Sequence, residues 1–388
     1  MKPLVINNAK ILLDSYGLNP NPDNTLSSLL ILDGKIAQLG TRLSLPADCE
    51  IFDAGGMILT PGWIDIQLNG VFGLDFTENP DSIWQAASEL PGLGTTSFLP
   101  TIITSPLEMV EHAIAINKNG PPSGFKGAHV IGLHLEGPFL NAGKKGAHNP
   151  RYLQKPSPGL VQNWSRSNGV FLVTIAPELD DGFATIRRLR DQGVIVSAGH
   201  SLATYEQAGQ AFQNGVRCGT HLFNAQSAIE HRNPGLSIAI LDDPDIYAGL
   251  IVDGIHLHPG MVKMAWTCKG NRRFITVTDA ISALGMPPGK YKLGDFEIIV
   301  TDTTVTLPDG TLAGSNITQQ QSLRNLMAWT GCSLYEAVRT MTATPAELFN
   351  LSNKGRIAIG ADADLVLVDE NINIKATVVG GEILFRGS

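Results

Sequence analysis

The sequence predicts an α/β protein: a (β/α)8 TIM-type barrel carrying a small composite β-sandwich domain built from both chain ends. Three observations lead there. Eight apolar runs of strand length alternate with helix-like stretches through the middle of the chain. Both ends read instead as short β segments joined by tight turns. The 388 residues exceed the usual size of one domain, and 43% hydrophobic with 16% charged residues is an ordinary globular composition.

In chain order, segments 29–32 and 36–39 flank Asp33-Gly34, a strong hairpin signal. The eight runs follow at 64–68, 95–99, 130–136, 170–176, 194–198, 216–220, 246–252 and 274–278. Helical patterns at 106–119, 182–192, 203–214 and 259–269 lie between them. Strands separated by crossover helices form a parallel sheet, and eight of them close a barrel. A hairpin at 296–300 and 303–307 follows the eighth run, and helices at 319–329 and 334–349 come next. The end returns to β texture at 364–368, 376–379 and 383–385, with Gly380-Gly381 as the last turn. This pattern places 1–59 and 354–388 in the β-sandwich domain and 60–353 in the barrel.

Lys and Arg number 28 against 36 Asp and Glu, a formal charge of -8. That balance argues against a broad nucleic-acid or anionic-membrane surface but leaves room for a small anionic substrate held by a few local cations. No apolar run approaches the roughly 18 residues needed to span a bilayer. Residues 1–14 lack the apolar core and cleavage site of a secretory signal. Cys49, Cys218, Cys268 and Cys332 are far apart and form no CxxC pair, as expected for free thiols in the reducing cytoplasm.

Barrel enzymes carry their chemistry at the C-terminal strand ends. Those ends hold Gln67 and Asn69, Thr101, Glu136, Glu178, His200, His221, Asp253 and Asp279. Glu136, His200 and His221 make a carboxylate-plus-two-histidine set, suited to one divalent ion per chain with positions left open for water; zinc fits, as do iron and other divalent ions. Asp279 would face them across the mouth. A metal lowers the pKa of its water and polarises a carbonyl, and a nearby carboxylate can carry the proton to a leaving nitrogen. This is machinery for hydrolysing an unactivated amide. A single histidine in a chain this long is more often structural, and His112 and His129 read as surface or packing residues. His134 shares a strand face with Glu136 and reads as barrel interior. Glu178 reads equally well as a helix-start acid.

At this point the residues resemble a known family. His134-Leu135-Glu136-Gly137-Pro138-Phe139, Lys144-Lys145-Gly146-Ala147-His148-Asn149-Pro150 and Gly199-His200-Ser201 are similar to segments of N-acetylglucosamine-6-phosphate deacetylases, members of the amidohydrolase superfamily. So are Thr220-His221-Leu222-Phe223-Asn224-Ala225, Asp253-Gly254-Ile255-His256, Val277-Thr278-Asp279-Ala280 and Leu312-Ala313-Gly314-Ser315. The motifs occur in order from about Pro61 to the C-terminus. Gln67 and Asn69 stand where many amidohydrolases have a His-x-His pair, and no lysine ends the fourth run, so the resemblance implies one metal. It also implies that Asp279 acts as general base and then acid, and that His148 contacts the substrate beside the scissile amide. Ala147, Asn224, Ala225, Asp253, Gly254, Ile255, Leu312, Ala313 and Gly314 would then line the sugar-phosphate site. Arg232 and His256 would take the phosphate, for which a guanidinium offers paired donors. In relatives one phosphate contact can come from a neighbouring subunit, so a homodimer or higher homo-oligomer is expected. N-acetylgalactosamine 6-phosphate would need similar groups. A cyclic-amide hydrolase would carry a histidine pair where this chain has Gln67 and Asn69, and a non-catalytic scaffold would have lost these ligands.

Overall fold

The structure is a computed structural model that describes residues 2–12 and 26–387; residues 1, 13–25 and 388, which the sequence assigns to the terminal β domain, lie outside the described residues. Eight parallel strands form the barrel: β1 (Trp63–Leu68), β2 (Thr95–Ile103), β3 (Leu133–Glu136), β4 (Val170–Ile175), β5 (Ile195–Ala198), β6 (Val216–Gly219), β7 (Tyr247–Ile251) and β8 (Phe274–Val277). They pair in chain order, and a parallel bridge between Leu68 and Ala280 returns the last strand towards the first. All eight expected runs contain a barrel strand, and the third, 130–136, is broken at Ile131-Gly132 so that His129–Val130 pairs separately with β2. Helices cover the outside and side chains fill the inside, so β2 is buried at every position, as a parallel sheet requires.

The crossover helices start and stop for local reasons. Tyr205–Asn214 begins at Thr204, whose hydroxyl accepts from the Gln207 N–H while the Gln207 side chain accepts from the Thr204 N–H. The helix buries Ala208, Ala211 and Phe212 against the barrel. Pro259–Arg273 is interrupted at Gly270, whose φ of 54° is non-helical, close to the expected end at 269.

Two expectations are corrected. The single helix expected at 334–349 is two short helices, Leu334–Arg339 and Ala343–Leu348. Thr340 and Thr342 bond back to the carbonyls of Ala337 and Val338, and Pro345 has no N–H to continue the ladder. The hairpin after β8 is a three-stranded sheet, because Gly289–Leu293 adds to Phe296–Val300 and Val305–Thr306. Gly289–Leu293 carries two lysines and buries only Leu293, so it lacks the apolar alternation that marks a strand.

The chain ends meet in one β domain. Its sheet contains Leu4–Ile11, Ser27–Leu32 and Lys35–Gly40 from one end and Leu365–Val368, Ile374–Val379 and Glu382–Arg386 from the other. Ile58–Pro61 joins the halves, lying parallel to the first strand and antiparallel to Leu365–Val368. Asp33 and Gly34 take φ of 47° and 75°, and Gly380 and Gly381 54° and 84°, the left-handed values of tight two-residue hairpins. Leu4, Ile6, Leu29, Ile31, Leu365 and Leu367 form its separate core. At the seam with the barrel, Asp364 accepts from Lys354 Nζ at 2.6 Å and from the Gly380 N–H at 2.8 Å, with His129 Nε2 at 3.3 Å. These partners outweigh burial and hold its carboxyl well below the usual range.

Candidate active site

Glu136 ends β3, and His200 and His221 lie two residues past the ends of β5 and β6. Glu136 Oε1, His200 Nε2 and His221 Nε2 converge to mutual distances of 3.2, 3.0 and 3.1 Å, and all three side chains are nearly inaccessible. Four ligand atoms about 2.1 Å from a tetrahedral ion sit about 3.4 Å apart, so this triangle fits a divalent ion to within a few tenths of an ångström. His200 Nδ1 lies 2.8 Å from the Lys144 carbonyl, which can only accept, so that nitrogen carries the proton and Nε2 keeps its lone pair for an ion. Another trio of donors, Glu136, His148 and His200, also falls within 4.8 Å. His148 is the weaker ligand, because its Nδ1 is already engaged by Thr104.

Burial raises the Glu136 carboxyl, but the imidazoles of His200 and His221 beside it outweigh that and hold it well below the usual range. Burial lowers His221, and Glu136 more than offsets it, so its pKa is raised. Asp279 lies across the mouth. Burial first, and then the Glu136 charge, push its pKa up to about 6. Asn69 Nδ2 donates to Asp279 Oδ1 at 2.7 Å, and Gln67 Nε2 to Glu136 Oε1 at 3.2 Å. Gln67 in β1 and Asn69 just past its end therefore each hold one carboxylate.

The Thr104 backbone N–H donates to His148 Nδ1 at 3.3 Å. Nδ1 must therefore be the acceptor and Nε2 the N–H of the neutral ring. Burial, with His200 adding to it, lowers the His148 pKa to about 3, so the ring is neutral at pH 7. Asp253 accepts the backbone N–H groups of Ile255 and His256 at 2.8 Å, and its Oδ2 lies 2.7 Å from His256 Nδ1, leaving Nε2 for a ligand. Beneath the mouth, Thr101, His134, Thr174, Thr220 and Ser197 form a buried hydrogen-bond chain with links of 3.3, 2.8, 2.8 and 2.6 Å.

These groups open on one cavity of about 380 Å³. Of the residues expected from sequence, Glu136, Ala147, His148, His200, His221, Asn224, Ala225, His256, Asp279, Leu312 and Gly314 line it. Asp253, Gly254 and Ile255 stand behind His256, and Gly254 packs near the Trp329 ring. Ala313 is buried in the small core beneath the three-stranded sheet. Arg232 is exposed and does not line the cavity. The expectation omitted Asn69, Gly143, Lys144, Thr311 and Leu293 from the lining. Asn69 had a signal, its place two residues beyond Gln67 at a strand end, whereas Gly143, Lys144 and Thr311 lie in connecting segments and Leu293 ends the strand Gly289–Leu293, and only the fold brings these to the mouth.

A carboxylate-and-histidine cluster at the mouth of a parallel barrel defines a metal-dependent hydrolase, and the chain belongs to the amidohydrolase family, whose pattern matches residues 58–384. Its relatives there are N-acetylglucosamine-6-phosphate deacetylases. The enzyme of that name from Lysinibacillus sphaericus is 37% identical over 354 residues, covering 90% of this chain and 91% of that protein. The crystal structure of the Pasteurella multocida enzyme superposes with a TM-score of 0.89 at 31% identity, covering 98% of this chain and 99% of that one. A mutant of the Mycobacterium smegmatis enzyme, solved in complex with N-acetyl-D-glucosamine-6-phosphate, gives 0.89 at 29% identity over 99% of this chain and 100% of that one.

Proposed function

We propose that this chain hydrolyses the acetamide of N-acetyl-D-glucosamine 6-phosphate to D-glucosamine 6-phosphate and acetate, using one divalent ion per chain, with zinc as the first choice. The observation that carries this reading is the Glu136–His200–His221 triangle with Asp279 beside it in a single cavity. The cavity volume falls within the range of about 300–1,000 Å³ usual for small-molecule sites.

Glu136, His200 and His221 would hold the ion, which when bound polarises the amide oxygen and makes water a competent nucleophile near neutral pH. Asp279 takes the proton from the attacking water and returns it to the leaving nitrogen; a pKa near 6 suits both duties. Neutral His148 presents its Nε2–H to the carbonyl oxygen as negative charge develops there. Ala147, Asn224, Ala225, Leu312 and Gly314 form the sugar wall, with Ala313 supporting it from behind. His256, held by Asp253 through the turn at Gly254 and Ile255, receives the phosphate. The exposure of Arg232 fits a phosphate ligand offered at the rim, and a homodimer would let one subunit lend it to the other's site. The β domain from 1–59 and 354–388 is assigned a structural role and the protein a cytoplasmic one; no helix among the described residues is long and apolar enough to cross a membrane.

The test is acetate release from N-acetyl-D-glucosamine 6-phosphate, with metal quantified in the same sample. Turnover with about one ion per chain, abolished by chelation, is the expected result. A fully metallated protein that releases no acetate would overturn the substrate assignment.

A further inference from the structure

Asn69 is 3% exposed and lines the cavity. Its Nδ2 is committed to Asp279 Oδ1 at 2.7 Å. A carboxylate oxygen can only accept, so the orientation of the amide is fixed, and its Oδ1 is left buried without a hydrogen-bond partner among the described residues. A buried carbonyl oxygen with no partner costs stability and is tolerated where a ligand completes it. The neighbouring side chains do not complete it: Glu136 and Asp279 offer carboxylate oxygens, and His200 and His221 point their Nε2 atoms at each other and at Glu136.

We infer that Asn69 Oδ1 accepts a hydrogen bond from the N–H of the scissile secondary amide, making Asn69 a substrate-reading residue as well as the group that orients Asp279. Nδ2 and Oδ1 hang from one carbon and Nδ2 is hydrogen-bonded to Asp279, so a single nitrogen can lie within reach of both Asp279 and Oδ1. The inference rests on the deacetylase reading. In the reaction R–NH–CO–CH3 plus water gives R–NH2 and acetic acid: the new C–O bond comes from water, the C–N bond breaks, and Asp279 moves one water proton to nitrogen. Asn69 holds the original N–H throughout and fixes the nitrogen with its emerging lone pair towards Asp279. An acetyl ester, with oxygen in place of N–H, would leave Oδ1 unsatisfied, so this residue also selects amides over esters.

The test compares two competitive inhibitors that differ at carbon 2: D-glucosamine 6-phosphate, which keeps an N–H donor, and 2-deoxy-D-glucose 6-phosphate, which has none. In Asn69→Leu and Asn69→Ala holoenzymes, the inhibition constant for the amine is expected to rise at least tenfold while that for the deoxy sugar stays within twofold. kcat is expected to fall about a hundredfold at unchanged metal content. Equal weakening of both inhibitors would make Asn69 merely structural, and no weakening of either would remove the contact; both results overturn the inference while wild-type acetate release leaves the deacetylase reading standing. A wild-type protein that binds neither sugar phosphate would overturn both.

Discussion

His200, His221 and Asp279, at the barrel mouth, take φ values of 48°, 29° and 50°, a region that costs a non-glycine residue of order 1–3 kcal/mol. In the terminal β domain, left-handed φ falls mainly on Asn8, Asp33 and the turn residues Gly34, Gly380 and Gly381, types that adopt it cheaply; Ile372, in a loop, is the exception. The two regions also bury different things. The mouth buries two carboxylates and three imidazoles, of which Glu136, His200 and His221 lie within hydrogen-bond distance of one another, whereas the β domain buries aliphatic side chains in alternation along paired strands. One region places backbone strain on the side chains of the site, and the other supplies stability through regular pairing. Mutations should therefore separate cleanly: activity lost at the mouth, stability lost in the sheet.

The largest effect is expected at the ligands. His200→Ala or His221→Ala should reduce bound metal to near zero and activity to background; normal metal content in either protein would remove that residue from the ligand set. Asp279→Asn should keep its metal and lower kcat by about 10²–10⁴-fold, the usual yield of a positioned acid–base group. It should melt no earlier than wild type, because it removes a carboxylate whose ionisation burial opposes. A large loss of melting temperature at full activity would reverse the comparison.

Leu367, 2% exposed in the β-domain core, gives the opposite case. Leu367→Ala should cost about 2–5 kcal/mol in urea unfolding while the folded protein keeps its kcat. Arg232→Ala should raise KM for the phosphorylated substrate by about tenfold, the effect of one charge-assisted contact, with little change for the unphosphorylated sugar. Equal changes for both sugars would mean that Arg232 does not read phosphate. The smallest effect is at the seam. Because the folded pKa of Asp364 is depressed, its stabilisation is complete above the ordinary carboxylate value near 4 and is lost as pH falls through the lower folded value. Melting temperature followed from pH 7 to pH 2.5 should fall less steeply for Asp364→Asn than for wild type, and parallel curves would exclude that contribution.

Much of this was legible in the residues because the signals are local. Alternating apolar runs fix strands, Asp33-Gly34 and Gly380-Gly381 fix hairpins, and a Glu and two His residues at successive strand ends converge if the barrel closes. The strand Gly289–Leu293 was missed because it is exposed on one face and rich in lysine, and the helix break at 340–342 because threonine back-bonding leaves no mark in an apolar pattern.

The sequence by itself determined the eight strands, the turns, the joining of the two ends and the presence of a carboxylate and two imidazoles at successive strand ends, since each depends on residue type and short-range periodicity. Tertiary structure alone decided which residues share the cavity. Loops carrying Lys144 and Thr311 reach the mouth, Arg232 and Asp253 stand off its wall, and Asn69 is clamped to Asp279 with its carbonyl oxygen left free. Asn69 and Asp279 are 210 positions apart in the chain and 2.7 Å apart in the fold. No local pattern encodes such a distance, because barrel closure, not the neighbouring residues, sets it.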